Sequence, residues 1–277
     1  MTHYLRIFAL LAVVASAAAC QKEYSFDIDN INNRILALGH GGMGNLHKYP
    51  INTFESIKNC LSVGADGTEI DVQMTSDGFL FAFHDEDMER TTTMSGRINS
   101  HTYKQVELAT YDKLPNGEFQ LVTLNEIFGH IKQPGRYHFS FDVKLYPATT
   151  DTLAYYNRFA DELVKVVDTY GLHANTYIES RSEEFIRIMH DKAPALKLFY
   201  YADSYAEAVA KAAELPVAGI TIAARNINRD EVALLHQREL LVATFGASTS
   251  SGNFDLIRLN PDIIQTDNVR HLVRVLK

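Results

Sequence analysis

Glu69 and Asp71 stand at i and i+2 inside GTEIDVQMT (67–75), a run with the alternation of a β-strand. Successive side chains on a strand point to opposite faces, so both acids point the same way, with Thr68, Ile70 and Val72 behind them. Two carboxylates this close repel unless a cation joins them. A hard divalent ion such as Ca²⁺ or Mg²⁺ meets that need; so does the Lys or Arg of an internal ion pair. Three other runs end on reactive groups. RILALGH (34–40) stops on His40, FLFAFHD (79–85) on His84-Asp85, and YHFSFDVK (137–144) carries Asp142 and Lys144 on one face. Glu69, Asp71 and Asp142 could hold a metal. Lys144 could neutralise a bound phosphate. Two imidazoles suit proton transfer near neutral pH, one taking a proton and one giving it. Together this is the chemistry of phosphodiester hydrolysis.

Such groups act together only if the fold collects them. Further β-type runs lie at 175–180, 196–202, 217–224 and 240–246, giving eight with the four above. Between most of them lie segments with apolar residues at helical spacing, several opening on Ser, Thr or Asp. This alternation predicts a parallel (β/α)8 TIM barrel, with a doubly wound sheet as the alternative. No P-loop follows the first strand, which removes one usual phosphate fingerprint of the doubly wound fold. The polar stretch 86–123 is too long for a connection and reads as an insertion after the third strand. In a barrel the C-terminal strand ends form the mouth. The first four strands would bring His40, Glu69 with Asp71, His84, and Asp142 with Lys144 to one quadrant. TDNVRH (266–271) closes the barrel, with Asp267 at the rim. Glu179 either faces the site or is structural. Alternation turns only one of Tyr200 and Tyr201 inward.

The 277 residues are 46% hydrophobic and 22% charged, ordinary for a globular chain, and the net charge is −8. That charge argues against nucleic-acid binding, which needs basic patches. Nothing in the sequence implies a protein partner. Residues 1–19 have the layout of a secretory signal: one Arg, an apolar run too short to span a bilayer, then small residues. They end at Cys20 in AAAC, which resembles a bacterial lipobox. On that resemblance Cys20 carries lipid. Gln21 after it implies an exported protein anchored in the cell envelope, at the outer membrane. Residues 20–33 then read as a tether, and 34–277 as the folded domain. Cys60, the remaining cysteine, reads as a buried apolar side chain.

The string GHGG…INTFES…GADGTEIDVQMTSDGFLFAFHDEDMERTT…FDVK…PDIIQTD resembles the glycerophosphodiester phosphodiesterase family from about His40 to Asp267. The resemblance implies a TIM barrel and metal-dependent hydrolysis of glycerophosphodiesters to glycerol 3-phosphate and an alcohol. It implies His40 and His84 as the acid/base pair, Glu69, Asp71 and Asp142 as metal ligands, and Lys144 at the phosphate. The chain departs from the family pattern at four points. Gly41 stands where Arg is usual and Ile51 where Glu is usual, so a cation and an anion are lost together. Asp142 replaces a usual Glu, and Phe245 a frequent Trp. A surface lipoprotein that binds phospholipid head groups without cleaving them is the competing reading. Two retained proton-transfer groups favour the enzyme.

Overall fold

The computed structural model describes residues 24–45, 48–112 and 119–277. The first stave is β1 (Leu36–Gly39), followed by helix α1 (Phe54–Ser62) and β2 (Gly67–Met74). The chain then leaves the barrel through β3 (Leu80–Ala82), a short helix α2 (Tyr103–Val106) and the two-residue strands β4 (Thr110–Tyr111), β5 (Phe119–Gln120) and β6 (Val122–Thr123). Helix α3 (Leu124–His130) brings it back. The remaining staves alternate with helices: β7 (His138–Val143), α4 (Thr152–Tyr170), β8 (Thr176–Ser180), α5 (Glu183–Lys192), β9 (Lys197–Ala202), α6 (Tyr205–Glu214), β10 (Gly219–Ala223), α7 (Arg229–His236), β11 (Leu241–Ala247), α8 (Ser250–Leu259), β12 (Ile263–Thr266) and α9 (Val269–Leu276). β1, β2 and β7 to β12 are parallel, and β1 pairs with both β2 and β12, which closes an eight-stranded barrel.

One strand departs from the expected place. The run at 79–85 does form a strand, but β3 pairs antiparallel with β2 (Val72 opposite Ala82) and is not a stave. The third stave is β7, and the eighth is the short IIQT of β12. A short apolar run carries no mark of its pairing direction, so composition alone cannot separate the two cases. The excursion therefore opens directly after β2. Its described part has a small core of its own, including Phe81, Phe83, Met88, Val106 and Tyr111. Arg97 and Asn99 tie it to the loop after β7 through Pro147 O and Ala148 N, on the C-terminal side of the barrel.

Alternation assigns the stave faces. In β7, Phe139 and Phe141 point outward and pack edge-on against Phe128 of α3, with centroids 4.9 and 5.9 Å away. Burying each such ring contributes about 1.5–3 kcal/mol. Inside the barrel, Leu38, Tyr177, Phe199, Ala243 and Ile263 form an apolar plug. Ser140, Glu179 and Gln265 form a hydrogen-bonded polar group further along the same strands. Helix starts follow the sequence signals. Thr53 and Ser182 cap α1 and α5, and Thr123 with Glu126 and Asn228 with Glu231 form capping boxes on α3 and α7.

The segment read as a tether is docked from Tyr24 onward. Tyr24 and Phe26 pack on Phe254 of α8. The buried Asn30 side chain donates to Arg34 O and Pro261 O and accepts from Arg34 N. Hydrophobic residues at 24, 26 and 28 are enough to bind a strap to the barrel wall, although its Asn-rich composition reads as linker. Cys20 and residues 1–19, read above as a secretory signal, lie outside the described residues. No helix of the described residues is long and apolar enough to cross a membrane.

Candidate active site

Inward-facing positions of the first staves converge as alternation demands. Ligand oxygens of Glu69, Asp71 (both β2) and Asp142 (β7) all lie within 4.8 Å of one another. Parallel register places Asp71 directly beside Asp142. Lys144 Nζ lies 2.6 Å from Asp142 Oδ2 and 3.0 Å from Asp71 Oδ1. Each remaining oxygen of the β2 pair is oriented except one. Asn52 donates to Asp71 Oδ2 (2.7 Å) and accepts from the Asp71 N–H (3.1 Å). The Gly41 N–H donates to Glu69 Oε2 (2.8 Å). Glu69 Oε1 is buried and has no hydrogen-bond partner. A buried oxygen without a donor is unfavourable by a few kcal/mol unless something else binds it. Burial and the neighbouring Asp71 push the Glu69 carboxyl well above its ordinary range. Burial would also raise Asp71, but Lys144 reverses that and holds it below its usual value. This donor set, all hard oxygen, suits a divalent cation.

The two histidines flank this cluster. His40, just past β1, has Nδ1 2.8 Å from Asp267 Oδ1, just past β12. Burial alone would lower its pKa; the bond to Asp267 and the carboxylates of Glu69 and Asp71 outweigh it and raise the pKa to about 9. His84 follows β3, with Nδ1 3.1 Å from Asp85 Oδ1, and is half exposed. It reaches the mouth from the excursion rather than from a stave end. Gln73, on the face shared with Glu69 and Asp71, donates to Phe83 O and Asp85 O and so fixes the backbone on both sides of His84.

His40, His84, the three carboxylates and Lys144 line one cavity of about 620 Å³. Its farther wall includes Tyr146, Tyr156, Arg181, Tyr201 and Phe245. Tyr201 is the inward tyrosine; Tyr200 faces outward and donates to Glu207. Glu179 is sealed in the barrel, accepting from Ser140 and Gln265, and burial with Asp142 nearby pushes it up to about 7. Its structural reading holds. Sequence reasoning missed Asn52, Gln73 and the pairing of Asp267 with His40. Only Gln73 carried a signal, as the third same-face polar residue of EIDVQ. The substitutions at 41 and 51 are spatially linked: a Cβ at Gly41 (φ +54°) would lie 2.5 Å from Ile51 Cβ.

The glycerophosphoryl diester phosphodiesterase family matches this chain over residues 40–271. The chain belongs to that family. It is an enzyme of that kind, a glycerophosphodiester phosphodiesterase. Over 239 residues it is 22% identical to a glycerophosphodiester phosphodiesterase of Bacillus altitudinis, covering 82% of this chain and 93% of that one. It is 28% identical over 169 residues to another from Caldanaerobacter subterraneus, covering 60% and 65%. Among solved structures, the fold matches an Oleispira antarctica phosphodiesterase in complex with the product sn-glycerol-3-phosphate, with TM-score 0.75, 19% identity and 87% and 96% of the two chains covered. It also matches a glycerophosphodiester phosphodiesterase from Agrobacterium tumefaciens, with TM-score 0.70, 20% identity and 87% and 98% covered.

The Asp267–His40 bond gives the phosphodiesterase a testable pH signature. A histidine whose folded pKa is raised adds stability that is full below its ordinary pKa of 6.5 and lost as pH rises through about 9. Asp267→Asn should therefore destabilise the metal-free protein most in weakly acidic solution, and the penalty should fade through pH 9. In the same variant, NMR titration of His40 should move from about 9 toward or below 6.5. A His40 titration that ignores the substitution would remove Asp267 as its partner.

Proposed function

We propose that this phosphodiesterase hydrolyses glycerophosphodiesters to glycerol 3-phosphate and an alcohol, with a divalent metal and with His40 and His84 as acid and base. The observation that carries this reading is the pair of carboxylate-oriented imidazoles flanking a buried acidic triad with an unpartnered Glu69 oxygen. When bound, a cation such as Ca²⁺ or Mg²⁺ would be held by Glu69, Asp71 and Asp142 and would supply charge neutralisation for the phosphate. Lys144 adds a fixed positive charge beside the same carboxylates, where developing negative charge on a phosphoryl oxygen is stabilised. Asp267 and Asp85 each engage the Nδ1 of their histidine, which leaves Nε2 free for proton transfer in the cavity. One imidazole takes the proton of the nucleophile, and the other gives one to the departing alkoxide. Product analysis during turnover tests the reading and also separates direct attack by water from attack by the vicinal glycerol hydroxyl. The second route passes through a cyclic phosphate.

We also infer export and lipid attachment at Cys20, supported by the signal-like layout of residues 1–19 and the lipobox-like AAAC. Cys20→Ser should abolish incorporation of a labelled fatty acid and leave a soluble or uncleaved form. Recovery of the unmodified wild-type protein from the cytoplasm would contradict this.

A further inference from the structure

The metal-side wall of the cavity is acidic, but the next arc of the mouth is not. The ends of three consecutive staves, β8, β9 and β10, carry Arg181, Asp203 and Arg225. Two guanidinium groups there meet two carboxylates, Asp203 and Glu207, whose Oε2 accepts from the Asp203 N–H at 2.8 Å, on a chain of charge −8. Arg181 is the only arginine lining the active-site cavity among the described residues.

Its side chain is held rather than free. Nη1 and Nη2 donate to Asp203 Oδ2 and Oδ1 at 2.7 and 2.9 Å, a bidentate pair. The guanidinium carbon lies 3.8 Å from the Tyr201 ring centroid. Tyr201 in turn meets Phe245 at 5.3 Å. Asp203 and Tyr201 both come from the end of β9, so one strand fixes the plane and position of an arginine carried by the preceding one. A guanidinium has five donors, and Asp203 needs only two of them. The Tyr201 hydroxyl is a further partner, and the donors that remain lie at the cavity rim with little further ordering required. The bond from Arg181 holds the Asp203 carboxyl below its ordinary range, and Arg225 adds to it.

We propose that Arg181 selects the leaving alcohol: it reads a carboxylate on that alcohol, so that the preferred substrates are glycerophosphodiesters of a carboxylate-bearing alcohol such as serine. This rests on the phosphodiesterase reading of the site. The phosphate lies between the acidic triad and Lys144, one ester arm follows the Tyr201 and Phe245 wall, and its carboxylate meets the donors Arg181 keeps free. Ser182, beside Arg181 in the same wall, is already occupied as the cap of α5 and adds no competing charge.

Glycerophosphoserine and glycerophosphoethanolamine differ by this one carboxylate and form the test pair. The wild-type enzyme with divalent metal should favour the serine diester in kcat/KM by roughly 10- to 100-fold, the range expected for a charged hydrogen bond. In Arg181→Met that ratio should fall to about 1, with the loss on the serine diester appearing in KM rather than kcat. Arg181→Lys should restore part of the preference. A wild-type enzyme that does not discriminate, or an Arg181→Met variant that keeps the full ratio, overturns the role of Arg181 while leaving the phosphodiesterase reading in place. Turnover of neither diester, with metal present, overturns both.

Discussion

Replacing His40 or His84 by Ala should each lower glycerophosphodiester turnover by about 10²–10⁴, the usual effect of losing a positioned acid or base. Both variants should stay folded. His84 is half exposed, and His40 packs at the barrel mouth rather than in the main core. Neither is among the three carboxylates, so metal affinity should persist. The substrate then separates the roles. An alkoxide is a poor leaving group and needs a proton, whereas a nitrophenolate does not. With an activated aryl phosphodiester, only the variant lacking the acid should recover substantially. Equal losses on both substrates in both variants would sink the acid/base division. Turnover near wild type in either variant would remove that histidine from the mechanism.

A second large effect is expected at the triad. Glu69→Gln, Asp71→Asn and Asp142→Asn should each abolish or severely weaken divalent-metal binding and reduce turnover to near the chelated background. Stability should respond in the opposite sense at Glu69. Its carboxyl is buried beside Asp71 with one oxygen unpartnered, an arrangement unfavourable to the metal-free fold. Gln at this position can keep the bond from the Gly41 N–H through its carbonyl oxygen while removing a charge that repels Asp71. Metal-free Glu69→Gln should therefore unfold at a higher temperature than metal-free wild type. Added Ca²⁺ or Mg²⁺ should raise the wild-type midpoint and leave the variant unmoved. Equal metal-induced shifts in both proteins would place the ion elsewhere.

The barrel was legible because its signals are local. Alternating β and helical runs, capping residues and the same-face acids of β2 follow from a few neighbouring positions; the direct pairing of Asp71 with Asp142 does not, because it requires β7 rather than the 79–85 run to lie beside β2. What failed to show depended on distant partners. FLFAFHD reads as a stave by composition, but the face of β2 it meets is an antiparallel edge. His84 still reaches the site because Gln73 and the pairing to β2 carry it there. IIQT, a four-residue run two positions after Pro261, is too short to announce the eighth stave. Asn52 sits in a left-handed turn (φ +65°) whose use appears only once Asp71 is beside it. Position 41 is similar: in sequence it is a missing arginine, while in the fold its N–H orients Glu69 and its lack of Cβ makes room for Ile51.

The most direct test of the central claim is one assay on the wild-type protein. It is exhaustively chelated, then supplied with Ca²⁺ or Mg²⁺, and its products from a glycerophosphodiester are identified. Turnover should be negligible after chelation and should recover on adding metal, with glycerol 3-phosphate and the free alcohol as products. Full turnover in the chelated protein would contradict the role given to Glu69, Asp71 and Asp142. Tight binding of the diester without cleavage in the metal-loaded protein would contradict the enzyme itself.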